Sequence, residues 1–241
     1  DDFRVISLDL PGFGLTGAVP TNDYSTENFI QVVQELSQEL ELGKLLIAGN
    51  SMGGGVSWRF ALDYPDQLLG LILLASSGVR VEQSNQQMEQ KERETPVAWR
   101  LMRSDVMKSF LTKFTPKFFA TQGLSSSVYD QELATSELAN QFHELTLMEG
   151  SRAAILSMFG SRTDRSGFSG PEIFRDIVVP TLVIHGKEDN IIDVGSSKYF
   201  QENIPNVEVK IYEKIGHLPM YEVPQKTARD IKDFAEFVGR G

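Results

Sequence analysis

A serine between glycines, three histidines and a short run of carboxylates carry the chemistry this chain can do. Gly49-Asn50-Ser51-Met52-Gly53 is a G-x-S-x-G pentapeptide. It follows the apolar stretch Lys44 to Ala48 and opens a helical pattern, the context such a motif needs. A serine there must sit on a tight strand-to-helix turn, in strained backbone. The residues two before and two after it, Gly49 and Gly53, must be small or they would collide with the turn. Gly54 and Gly55 add room for close packing of helix on sheet. The helix start then points its dipole and unpaired N–H groups at the serine, which favours a developing oxyanion.

A serine hydroxyl is a weak nucleophile and needs a base. The chain offers His143, His185 and His217. With this motif the chain order is serine, acid, histidine. His143 lies in a helical stretch and reads as a surface or core-edge residue. His185 ends an apolar run just before Gly186 and precedes every plausible acid there; it reads as a packed, hydrogen-bonded histidine lining the site. His217, in Gly216-His217-Leu218-Pro219, follows the last strand and is the base. The acid should follow the preceding strand, where His185-Gly186-Lys187-Glu188-Asp189 stands. Glu188 and Asp193 are neighbours, but Asp189 leads into Asn190-Ile191-Ile192, an apolar step that buries the loop and aims the carboxylate inward. Its role would be to hold the tautomer of His217 and stabilise its charged form.

Elements that could position these residues are legible. Phe3 to Leu8, Lys44 to Ala48, Leu71 to Ala75, Thr181 to His185 and Val207 to Tyr212 read as buried strands, rich in Val, Ile and Leu. Helical patterns lie between most of them: Thr26 to Glu41, with Ser25 and Asn28 at its start; Val56 to Tyr64; Val194 to Asn203; and Pro224 to Val238. Such alternation predicts an α/β fold, a mostly parallel sheet flanked by helices. It breaks once. From Val79 to about Asp176 no strand is predicted, and the stretch is helical in flavour, rich in Met and aromatics from Met88, Trp99, Met102, Met107 and Phe110 to Met158. Ser161 to Pro171 reads as a returning loop. Asp9-Leu10-Pro11-Gly12-Phe13-Gly14 lacks G-x-G-x-x-G spacing and a P-loop lysine, so it reads as a tight turn.

Composition excludes other classes. The 241 residues contain no cysteine, which removes disulfides, thiolate metal sites and cysteine catalysis. Against 23 basic residues stand 33 acidic ones, for a formal charge of −10, a surface that repels phosphate backbones and anionic lipid. No apolar run approaches the ~18 residues of a membrane span. The expected partner is therefore a small molecule, with no nucleic acid and no membrane span. Oligomeric state and compartment stay open, with a soluble cytoplasmic location favoured.

Taken together, these residues resemble the α/β-hydrolase fold family. The matching pieces are Asp9 to Gly14, Gly49 to Gly54, Tyr64-Pro65, His185 to Asp189 and Gly216 to Glu222, in family order along almost the whole chain. The resemblance implies an eight-stranded, mostly parallel sheet, no metal and no organic cofactor. It carries over Ser51, Asp189 and His217 as a catalytic triad and the Met52 backbone N–H as one oxyanion donor. Residues 1–78 and 177–241 would form the hydrolase core, and 79–176 the helical cap or lid. It also implies an N-terminally incomplete core, with strands four to eight visible and the loop giving the second oxyanion N–H absent. Phe3 to Leu8 must then pair directly with Lys44 to Ala48 or face a gap.

Ser51 sets the chain apart from the haloalkane dehalogenases and typical epoxide hydrolases of this fold, which use aspartate there. Gly-Asn-Ser-Met-Gly-Gly resembles carboxylesterases and monoacylglycerol-type lipases, and also carbon–carbon bond hydrolases of aromatic ring cleavage. The latter typically follow the catalytic histidine with Trp, where this chain has Leu218. The expected activity is hydrolysis of carboxylic esters with small or medium acyl chains through an acyl-enzyme. The alternatives are carbon–carbon bond hydrolysis and a non-catalytic, hydrolase-like binding protein.

Overall fold

The computed structural model of the chain describes residues 3–79, 114–160 and 172–240. In chain order its main elements are α1 (Thr26–Glu39), β1 (Leu45–Asn50), α2 (Met52–Asp63), β2 (Leu68–Leu74), α3 (Lys117–Ser127), α4 (Ser136–Thr146), α5 (Ser151–Gly160), α6 (Glu172–Arg175), β3 (Thr181–Gly186), α7 (Gly195–Asn203), β4 (Val207–Tyr212), α8 (Pro219–Glu222) and α9 (Pro224–Val238). The four strands form one sheet in the order β1-β2-β3-β4, every pair parallel. Asn50 lies opposite Leu74, and Gly186 opposite Tyr212. Parallel pairing in this register brings all four carboxyl-terminal strand tips to one edge, where ligands bind in open α/β sheets.

The side-chain period of two divides the core into two layers. Leu71, Leu73 and Val183 point to one face and pack with Phe29, Val56, Trp58, Phe60, Phe174 and Phe200, from α1, α2, α6 and α7. Ile72, Leu74, Leu182 and Ile184 point to the other and pack with Phe234 of α9 and with Tyr212 and Ile215. Burial of both faces explains why these strands read as unbroken apolar runs. α1 starts as its sequence predicts, with the Ser25 hydroxyl accepting the Asn28 N–H at 3.2 Å.

Phe3 to Leu8 corrects the expectation. It forms no strand, pairs with no described residue, and leaves Val5 82% exposed. An apolar run records a tendency to be buried, but a strand exists only through a hydrogen-bonded partner. The outer edge of β1 does not recruit this segment, so among the described residues the sheet has four strands. The following turn is held by its own groups: Asp9 Oδ2 accepts the Leu15 N–H at 3.0 Å, and the Thr16 hydroxyl donates to the Asp9 carbonyl at 2.6 Å. Within 79–176, the described residues are helical or irregular, with no strand. The residues Met88 to Phe110 and the predicted loop over 161–171 lie outside the described residues.

Candidate active site

Ser51 joins β1 to α2 with φ 54° and ψ −117°, a left-handed conformation that a non-glycine residue adopts only under constraint. The constraint is visible. Its N–H donates to the Leu74 carbonyl at 3.0 Å, and its carbonyl accepts the Ser77 N–H at 2.9 Å, so the β2 tip clamps the turn from both sides. A Cβ on Gly49 would lie 2.2 Å from the Gly53 carbonyl oxygen, which no side-chain adjustment relieves. Gly53 differs from its predicted steric role, since a Cβ there would meet nothing within 4 Å; the close approach is of its backbone to Gly49. Gly54 does serve close packing: its Cβ would stand 2.4 Å from Ser76 Oγ. Met52 is the first residue of α2, which places its N–H among the unpaired donors at the positive end of a helix.

Asp189 and His217 come from the loops after β3 and β4 and meet at 2.7 Å, His217 Nδ1–H donating to Asp189 Oδ2. Both side chains are buried. Asp189 Oδ1 accepts the N–H groups of Ile191 and Ile192 at 2.7 and 2.9 Å, the apolar step acting as a small anion cradle. Burial alone pushes the Asp189 carboxyl up, but hydrogen bonds from His185 and His217, the charge of His217 and the Ile192 N–H outweigh it. They hold the group well below its ordinary 3.8. The loops can touch because Gly186 lacks a side chain: a Cβ there would lie 2.0 Å from the Gly216 carbonyl oxygen.

The neighbouring carboxylates have other partners. Glu188 Oε2 accepts the Ile215 N–H at 3.1 Å, and Asp193 Oδ1 accepts the Gly195 N–H at 2.8 Å at the start of α7. His143 Nε2 bonds the Thr115 carbonyl at 2.7 Å in the helical insertion. His185 is fully buried and bonded, as expected, but its partner includes Asp189 itself, at 2.9 Å. The sequence gives that contact only a spacing of four residues as its sign.

Two residues gain roles that local reading did not assign. Asn50 Nδ2 donates to the Leu74 carbonyl at 3.1 Å and the His217 carbonyl at 3.2 Å, tying the serine turn to the histidine loop. Glu222 Oε1 accepts the N–H groups of Gly216 and Leu218 at 2.9 and 3.3 Å, on either side of His217, while Oε2 accepts that of Tyr129 at 2.7 Å. The His217 N–H donates to the Ser127 carbonyl at 2.7 Å. Leu218 packs on Leu124, Val128 and Ala139. The segment after α3 and the histidine loop are thus cross-linked. No helix among the described residues is long and apolar enough to cross a membrane.

The fold agrees with the comparisons. The family of the alpha/beta hydrolase fold matches residues 1–224, and the chain belongs to it. The 2-hydroxy-6-oxo-2,4-heptadienoate hydrolase of Pseudomonas putida is 26% identical over 236 residues, covering 96% of this chain and 78% of the relative. Monoacylglycerol lipase ABHD6 of Bos taurus is 25% identical over 238 residues, covering 97% and 67%. Among solved structures, a mutant of the meta-cleavage product hydrolase CumD superposes with a TM-score of 0.78 at 24% identity, covering 95% of this chain and 78% of that one. The protein is a hydrolase of this fold, similar both to a 2-hydroxy-6-oxo-2,4-heptadienoate hydrolase and to a monoacylglycerol lipase.

Proposed function

We propose that the protein is a serine hydrolase that cleaves carboxylic esters through an acyl-enzyme, with Ser51 as nucleophile, His217 as base and Asp189 as acid. The observation that carries this reading is the hydrogen bond from His217 Nδ1 to the buried Asp189, beside a serine held at positive φ. With Nδ1 engaged, Nε2 is the ring nitrogen that serves Ser51. It takes the hydroxyl proton as Oγ attacks the ester carbonyl, and the Met52 N–H stabilises the oxyanion. Collapse breaks the C–O bond, and His217 returns the proton to the leaving alcohol. Water then attacks the acyl-serine, His217 takes its proton, and the acid leaves as Ser51 recovers its hydrogen. Residues 79–176 act as the cap, with α3 and α4 set against the histidine loop, and their apolar side chains suit an acyl group.

The carbon–carbon bond reading is the second, favoured by the Pseudomonas putida relative. Leu218 weighs against it, standing beside His217 where those hydrolases typically carry Trp. The test is turnover of p-nitrophenyl acetate and butyrate beside 2-hydroxy-6-oxo-2,4-heptadienoate. Faster turnover of the esters, lost in Ser51→Ala, supports the proposal. Turnover of the dienoate alone replaces it with the second reading, and turnover of neither contradicts both.

A further inference from the structure

Asp189 does not serve one histidine but two. Its Oδ2 accepts from His217 Nδ1 at 2.7 Å and from His185 Nε2 at 2.9 Å. The second partner of His185 Nε2 is the Ile192 carbonyl at 3.2 Å, and the carboxylate and carbonyl are both acceptors, so Nε2 must carry the proton. His185 Nδ1 faces the Ser197 hydroxyl of α7 at 2.7 Å, which can donate to it. His185 and Ser197 are buried, and this short chain of bonds runs from α7 through the β3 tip to the acid.

A histidine needed only for packing would not require a proton on the atom aimed at the acid. Asp189 Oδ1 is already fixed by two backbone N–H groups, so the carboxylate is anchored without His185. What His185 adds is competition for Oδ2, the oxygen that His217 uses. We propose that His185 is a positioning residue of the triad, whose Nε2–H fixes Oδ2 toward His217 and limits how strongly that oxygen holds the His217 proton. The inference rests on the assignment of His217 as base.

The direction follows from electrostatics. Removing a donor from Oδ2 leaves more carboxylate charge for His217 and stabilises its protonated form. Among the described residues, the other charged groups facing these loops are Glu188, on the Ile215 N–H, Glu222, on the Gly216 and Leu218 N–H groups, and Asp193 at the start of α7. Lys187 pairs outward with Glu213. All are unchanged in the variants below, so they cancel in the comparison.

The experiment compares His185→Asn and His185→Leu, which cannot reach Asp189 with a donor, with His185→Gln, whose longer amide can. NMR titration of the His217 ring is read beside the pH profile of kcat/KM on p-nitrophenyl butyrate. In whichever of the first two variants folds, the ring should titrate higher by about half a pH unit or more, and the acid limb should move with it. Their kcat should fall about tenfold to a hundredfold with KM little changed, the size of one charged hydrogen bond. His185→Gln should recover most of both. A folded Asn or Leu variant with the wild-type ring titration overturns the proposal, as does a loss confined to KM or to melting temperature. The ring titration needs no turnover, so an inactive wild type would contradict the ester reading while leaving this inference testable.

Discussion

Four hydrogen bonds converge on the Asp189 carboxylate, and one of them comes from His217, the proposed base. Asp189→Asn keeps the volume but cannot hold the proton on His217 Nδ1. Turnover of p-nitrophenyl butyrate should fall about 10⁴-fold with little change in KM. Glu188→Gln and Asp193→Asn should stay near wild type, since those carboxylates bond backbone N–H groups elsewhere. Steady-state kinetics decide; a matching loss in either control would move the acid. Asp189 also links stability to pH. Its folded pKa lies below the ordinary 3.8, so its contribution is complete above that value and drains as pH falls toward the folded pKa. Wild type should be more stable than Asp189→Asn at pH 6, and the difference should shrink steadily below pH 4. Urea titrations at several pH values measure this, and a constant difference would show that the charge is not the source. The candidate serine, base and acid could be named from the sequence, because motif and chain order can be read there without a fold. The second histidine on Asp189 Oδ2 was not, since only folding reveals where a buried ring points.

At the scale of elements, the active edge is four strand tips locked by loop-to-loop contacts. Glu222 of α8 satisfies three backbone N–H groups from two loops, two of them flanking His217. Glu222→Ala leaves those donors without their acceptor and should cost about 1–3 kcal/mol in urea unfolding. It should also lower kcat, because His217 loses its fixed loop, whereas Glu236→Ala on the exposed face of α9 should do neither. An unchanged kcat in a destabilised Glu222→Ala would show that the strap holds the fold alone. Helices with strong periodicity were placed well by sequence: Pro224 to Val238 coincides with α9, and Thr26 begins α1. α2 starts at Met52, directly after the serine, where the motif was expected to open a helix. Gly54 and Gly55 are poor helix formers, but the close approach of Ser76 to the one and Ser77 to the other rewards them, a tertiary contact that overrides propensity. Glu222 and Tyr129 are 93 residues apart, so no local pattern could announce that bond.

At the scale of the molecule, the two edges of the sheet formed by the described residues differ. β4 carries Glu208 and Lys210, charges that discourage pairing with another chain. β1, Leu45–Asn50, carries none, and Phe3, Val5, Ile6 and Leu8 are exposed nearby in sequence to a turn but in no ladder. An uncharged edge and an unpaired apolar segment favour association between chains. The formal charge of −10 opposes it, so added salt should increase it. Light scattering of this 241-residue chain should show association that grows with concentration and salt and falls in Val5→Lys with Ile6→Lys. No dependence on those residues would locate the association elsewhere. The fold class followed from the strand–helix alternation, while the apolar run at Phe3 to Leu8 misled because hydrophobicity alone does not supply a pairing partner.

In the proposed mechanism Ser51 becomes acylated with His217 as its base. The most direct measurement is rapid-quench mass analysis of the chain mixed with p-nitrophenyl butyrate, read beside the burst of p-nitrophenol. A burst of one p-nitrophenol per chain is expected, with a butyryl mass on the peptide holding Ser51. Both should vanish in Ser51→Ala, and the burst should slow on the order of 10⁴-fold or more in His217→Ala. Ester turnover with no adduct on Ser51, or an undiminished burst in His217→Ala, would contradict it.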